Sequence, residues 1–154
     1  MAATAWQLYN SAKKYIGNGT ITLGAGSFKM ALTQSTSNAS TFTLSTFGSV
    51  TNESSGGGYT AGGKELVPAT GYWTTGASAK QMKFTYSTVG LTFTASSSSL
   101  ANVKYAVITF GASAAVASAR KLLCFCKLSS SQFTVTSPNT LTVLPAATGV
   151  FTLT

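Results

Sequence analysis

The chain has no histidine and no aspartate, and its only acidic residues are Glu53 and Glu65. General acid–base catalysis needs a side chain that titrates near the working pH. Metal sites need imidazoles, carboxylates or clustered thiolates. Without these groups a chain lacks the working parts of most hydrolases, transferases and metalloenzymes. The expectation is a non-enzymatic protein with no cofactor and no metal. Charge of either sign is scarce: charged residues make up 8% of the sequence, against ~25% in an average globular domain. Cysteine is scarcer still, with only Cys124 and Cys126. In a strand, residues i and i+2 share a face, so both thiols would point the same way, and a disulfide between them would be strained. Two thiolates alone complete no zinc site, so buried free thiols are expected. No run approaches the ~20 apolar residues of a membrane span. Lys13 and Lys14 interrupt the first segment, which does not read as a secretory leader; synthesis in a cytoplasm is expected.

Hydrophobic residues reach 44%, and the polarity comes from Ser, Thr, Gly and Asn. Short, neutral, β-prone runs between turn residues predict one all-β domain over 1–154, an antiparallel β-sandwich or jelly-roll-like fold. One helix is expected at about 4–16. There Ala5, Leu8, Tyr9, Ala12 and Ile16 share a helical face, Thr4 is placed to cap, and Gly17 and Gly19 stop the helix. Beyond it the period switches to two. Strands are expected at Thr20–Leu23, Phe28–Thr33, Gly71–Thr75, Gln81–Tyr86, Leu91–Ala95, Asn102–Phe110, Lys121–Leu128, Gln132–Thr136, Thr140–Leu144 and Gly149–Leu153. Asn102–Phe110 is apolar on both faces, the pattern of a central strand. Ala112–Ala119 reads as a small-residue loop. Residues 34–58 form a long Gly/Ser-rich stretch, in which Phe42, Leu44 and Phe47 mark a short element, helical turn or strand. Loops this long in a small domain often carry an interface.

Several patterns imitate chemistry. Gly58-Tyr59-Thr60-Ala61-Gly62-Gly63-Lys64 matches the first seven positions of a phosphate-binding loop, but Glu65 stands where a magnesium-binding hydroxyl belongs. The segment reads as a Gly-rich turn entering a strand. Ser11-Ala12-Lys13-Lys14 fits a serine–lysine nucleophile pattern without its companion motifs. The net charge of +8 suggests an acidic partner. The positives are dispersed, with only Lys13-Lys14 and Arg120-Lys121 adjacent, so a cationic surface for solubility or for docking on an acidic protein lattice is favoured over specific nucleic-acid binding. Tyr72 and Trp73 are the best pair for a sugar-stacking platform.

Taken in order, a set of segments spanning nearly the whole chain resembles small virion structural proteins of tailed bacteriophages. The segments are Tyr9-Asn10-Ser11-Ala12-Lys13-Lys14-Tyr15, Gly19-Thr20-Ile21, Phe28-Lys29-Met30-Ala31-Leu32, Gly58 to Lys64, Tyr105-Ala106-Val107-Ile108, and Pro145-Ala146-Ala147-Thr148-Gly149-Val150-Phe151-Thr152-Leu153. The resemblance implies a β-rich domain that assembles on a phage particle, with no catalytic residues to carry over. Similar proteins often carry Asp around the early strands and the Gly-rich turn. This chain has none, so no metal or acidic-surface role is transferred.

The expected function is a capsid decoration, or cement, protein on the outside of the virion shell. Its partners would be the major capsid protein and itself, as a homo-oligomer such as a trimer at lattice symmetry points. No membrane and no specific nucleic acid are expected as partners. The interface candidates are Trp6, Tyr9, Lys13, Lys14, Tyr15, Phe42, Phe47, Tyr59, Tyr72 and Trp73. The alternatives are a tail, head–tail connector or fibre component, a carbohydrate-binding module, and a nucleic-acid-binding protein.

Overall fold

A computed structural model describes residues 3–68, 70–78, 80–112 and 115–153. The protein is mostly β, with one short helix near the N-terminus and several antiparallel sheets that do not close into a barrel. The main sheet runs in the order β1 (Gln7–Leu8), β8 (Lys121–Lys127), β7 (Leu100–Gly111), β2 (Ser27–Gln34), β3 (Lys64–Glu65), with β9 (Phe133–Val135) also pairing β7. Two small sheets accompany it. One joins β10 (Thr140–Val143) to β6 (Leu91–Thr94), the other β11 (Phe151–Leu153), β5 (Met82–Phe84) and β4 (Trp73–Thr75).

Strand alternation sorts the side chains into two layers. Phe28 pairs with Phe110, Met30 with Ile108, Leu32 with Ala106, and Ala106 and Ile108 with Cys126 and Cys124. These residues share one face. The small sheets cover it: Phe28 packs edge-on to Tyr72 and tilted on Phe84, at 4.8 Å each. Val107 pairs with Phe125 on the other face, which is covered by Tyr9 at 5.1 Å and Phe42 at 5.4 Å. The doubly buried strand expected around Asn102–Phe110 is thus β7, longer by two residues at its start and one at its end. Asn102 takes a left-handed φ of 59° at an irregularity between Leu100 and Val103, a conformation that asparagine tolerates better than most residues.

The helix is α1 (Asn10–Gly17), not 4–16. Residues 4–8 are extended. The Thr4 N–H donates to Lys127 O at 2.8 Å, and the Lys127 N–H donates to Thr4 Oγ1 at 3.0 Å. Gln7 and Leu8 pair with Phe125 and Cys124. The open edge of β8 offers ladder hydrogen bonds at once, whereas a helix over the same residues would leave that edge unpaired. Thr4 therefore caps nothing. Tyr9 is the N-cap residue, with no side-chain cap bond; instead the Asn10 N–H reaches Phe42 O at 3.1 Å and Ser11 Oγ reaches Leu44 O at 2.7 Å. An eight-residue helix is marginal alone, and tertiary packing holds this one.

Thr20–Leu23 also forms no strand. Ile21 and Leu23 are buried, but the Ile21 N–H turns back to Tyr15 O at 2.9 Å. The other expected strands form, most of them shorter by one to a few residues. In the long stretch after β2, the expected short element is a 3-10 turn at Phe47–Ser49. Asn38 ties this loop by accepting from the Thr51 N–H at 2.9 Å and donating to Ser49 O at 2.9 Å. Part of the expected 112–119 loop, Ser113 and Ala114, lies outside the described residues; Ala117–Ala119 is a second 3-10 turn.

Arg120 is the one basic side chain inside the protein, 1% exposed. Its Nε donates to Thr109 Oγ1 at 3.0 Å, Nη1 to Ala112 O at 2.9 Å, and Nη2 to Ser27 O at 2.8 Å. Burial pushes its pKa down, and the charge of Glu65 opposes that shift. The guanidinium joins β2, β7 and the loop before β8 through their own polar atoms. Arg120→Ala strands these acceptors away from water, and urea unfolding is expected to show a loss of about 3 kcal/mol. A loss under about 1 kcal/mol would mean that water replaces the guanidinium.

Burial pushes the Cys126 thiol up to about 12 and the Cys124 thiol well above its ordinary value. Both stay protonated in the fold while the unfolded chain titrates near ~8.5. Above that pH the unfolded state holds fewer protons than the native state. The stability present in full below pH ~8.5 is then lost at up to ~1.4 kcal/mol per pH unit for each thiol. Guanidinium midpoints measured from pH 8 to 10 should fall in the parent and fall less in a Cys124→Ala, Cys126→Ala double variant.

Candidate functional site

The Gly-rich turn is organised around a carboxylate of the protein itself. Glu53 Oε1 accepts from the Tyr59 O–H and from the Gly62 N–H, both at 2.7 Å. The Tyr59 oxygen in turn accepts from the Leu32 N–H at 3.1 Å. Burial, with the Glu53 charge beside it, pushes the Tyr59 phenol well above its usual range. An isolated bridge pairs Glu53 with Thr33, so one acidic residue fastens the loop after β2, the Gly-rich turn and β2 together. The turn's Gly62 N–H, in the position where a phosphate-binding loop would present a donor, is thus engaged internally. Lys64 points elsewhere, donating from Nζ to Thr92 O at 3.0 Å. Gly63 has a φ of 80°, and a Cβ there would collide with the Met30 carbonyl. The glycines serve a close backbone approach to β2, and Lys64 opens β3, as the reading of a turn entering a strand requires.

The other carboxylate, Glu65, accepts from Ser27 Oγ at 2.9 Å. No lysine is buried. The lysines therefore lie at or near the surface, with Arg120 the one buried cation, while each of the two glutamates accepts hydrogen bonds from the fold. Among the described residues, no group of three or more His, Cys, Asp or Glu is placed to hold a metal ion.

A cleft of about 570 Å³ lies between residues 3–6 and the 141–150 segment. Trp6, Leu128, Phe133, Leu141, Leu144 and Pro145 give it apolar walls. Leu144 on its rim is 57% exposed. No charged side chain lines it, and its one titratable group, the Cys126 thiol, is held protonated by burial. This cleft can bind apolar surface but offers no general acid or base.

The ten interface candidates separate into three groups. Tyr9, Phe47 and Tyr72 are core residues and present no surface ring. The Tyr9 hydroxyl donates to Ala39 O at 2.6 Å, and the Tyr72 hydroxyl to Leu66 O at 2.6 Å. Trp6, Tyr59 and Trp73 are half-buried at separate places: the cleft, the Glu53 clasp, and against Phe151 at 6.4 Å. Tyr72 and Trp73 therefore make no open sugar platform, because the Tyr72 ring stacks inward on Phe84 at 5.9 Å. Lys13, Lys14 and Tyr15 lie on α1, and Phe42 lies on the loop whose carbonyl accepts the helix's first N–H. Lys13 and Lys14 are exposed. Lys121 Nζ sits 5.4 Å from the centre of the Tyr15 ring, and Phe42 is 44% exposed.

The sequence reading missed Arg120, Glu53 and the cleft. The rarity of acids was a usable signal for Glu53, since one of two carboxylates sat in an otherwise neutral loop. The cleft gave no signal because its walls meet only in three dimensions. No family model, curated protein or solved structure matches the chain.

Replacing Glu53 separates its roles. Glu53→Ala should cost about 2 kcal/mol in urea unfolding, and Glu53→Gln about half that, because an amide oxygen still accepts both bonds. Amide exchange at Gly62 should accelerate in Glu53→Ala. Unchanged exchange there would count against the clasp.

Proposed function

We propose that the protein is a non-enzymatic structural component of a tailed-bacteriophage virion. Within that class we read it as a capsid decoration protein, which binds the outer face of the shell and bridges its subunits. The observation that carries the reading is the placement of charge: no lysine is buried, while Glu53 and Glu65 both accept hydrogen bonds from the fold. Such a protein meets acidic surfaces with little internal competition, and it brings few charges that must be desolvated on close packing. The ordered segments that resemble phage virion proteins support the same class. So does a large cleft that offers apolar contact area and no reacting group. Self-association and contact with the major capsid protein are the interactions this function requires.

The copy number of the chain in gradient-purified virions, measured by quantitative mass spectrometry against the major capsid protein, tests the reading. A ratio near one, or a fixed large fraction of it, supports decoration. A few copies per particle would move the protein to the tail, connector or fibre, and absence from the particle would overturn the virion reading.

A further inference from the structure

We infer that the α1 layer is the docking face, and that it takes an acidic protein surface bearing an apolar side chain. The inference rests on the docking reading above. Three lysines lie in this layer. Lys13 and Lys14 project from α1, and Lys121 lies over Tyr15 of the same helix. The nearest carboxylates are across the sheet. The helix packs on β8, and Glu65 stands on β3, three strands further along the order β8, β7, β2, β3. At ~4.8 Å per strand that is ~14 Å, beyond the ~8 Å Debye length at physiological salt. Glu53 is bridged to β2, two strands from β8, and its carboxylate is held by Tyr59 and Gly62. No carboxylate side chain lies on α1, on β8 or in the 35–50 loop, so this layer carries lysines alone, a charge pattern that an acidic partner complements.

Phe42 supplies the second feature. It is the one aromatic among the large hydrophobic residues exposed by more than a third. Its ring is held edge-on against Phe125, which is itself packed on Tyr9. Its carbonyl accepts the first N–H of α1. A positioned, half-exposed aromatic loses little conformational freedom on binding, and such residues are favoured as anchors. A nucleic-acid duplex would use the lysines, but its bases are stacked on one another and offer no face to this ring. With Arg120 buried, the face also lacks the guanidinium contacts typical of nucleic-acid recognition.

Two fluorescent peptides test the face by anisotropy, an oligo-glutamate and a peptide alternating Glu with Leu. Two triple variants remove the same charge from different places: Lys13→Glu, Lys14→Glu, Lys121→Glu on the face, and Lys80→Glu, Lys83→Glu, Lys104→Glu away from it. The face triple should weaken both peptides at least ~10-fold more than the other triple. Phe42→Ala should weaken only the Glu–Leu peptide, by ~5–10-fold. Circular dichroism and urea unfolding confirm that each variant is folded. Equal losses in the two triples would overturn a localised face. Loss of both peptides equally in Phe42→Ala would overturn the anchor. Binding to a 20-base-pair duplex that persists at 0.15 M salt and is lost in the face triple would reassign the face to nucleic acid and overturn the proposal. Because the peptides need no particle, these outcomes are independent of the copy number in virions.

Discussion

Strand β7 is the constraint on which the rest of the structure depends. Its residues pair with β2 on one side, and with β8 and β9 on the other, while Ala106, Val107 and Ile108 are fully buried on its two faces. A strand buried on both faces can leave no backbone group unpaired and no face uncovered. Both layers follow from that demand. The face of Ala106 and Ile108 requires the aromatic cover of Phe84, Tyr72 and Tyr86 from beyond the sheet. The face of Val107 requires α1 and its adjoining loop, through Tyr9 and Phe42. The cation-bearing layer thus exists because β7 needs a lid.

Scarcity of charge shapes the polar interior in the same way. With so few carboxylates, the buried guanidinium and the buried phenols named here take their partners from hydroxyls and main-chain oxygens. Arg120 is held by Thr109, Ala112 and Ser27, and the phenols of Tyr9, Tyr72 and Tyr86 each donate to a carbonyl. The two glutamates are the exceptions: Glu65 accepts from the buried Ser27 hydroxyl, and a single carboxylate oxygen of Glu53 organises a whole turn. Neutral partners avoid the desolvation cost of buried ion pairs. They also leave the lysines to set the field at the surface, so the same economy of charge produces both the interior and the cationic surface of the α1 layer.

Most strands were legible because period-two alternation reports burial directly. The central position of β7 was legible from its apolar residues on both faces. The helix start was not. Ala5, Leu8 and Tyr9 carry genuine helical spacing, and nothing local says that the edge of β8 will claim them. Thr20–Leu23 failed for the opposite reason: it has strand-like residues but no edge to join. Among the candidate site residues, Lys13, Lys14 and Tyr15 lie on α1 and Phe42 on the loop beside it, while Tyr9, Phe47 and Tyr72 are claimed by the core. Aromatic residues suit anchors and cores equally, and sequence alone does not say which face of an element is covered.

The amino-acid sequence by itself determined the mostly-β character, the neutral polarity, the dearth of titratable side chains and the net positive charge. These depend on composition and on alternation between near neighbours. Only the tertiary structure decided where residues 4–8 pair, which aromatics reach the surface, how Glu53 closes the Gly-rich turn, and what holds Arg120. Those outcomes depend on partners distant in the chain, such as Ser27 for Arg120, 93 positions away. Such contacts form only once the sheet has brought the segments together, so no local pattern encodes them.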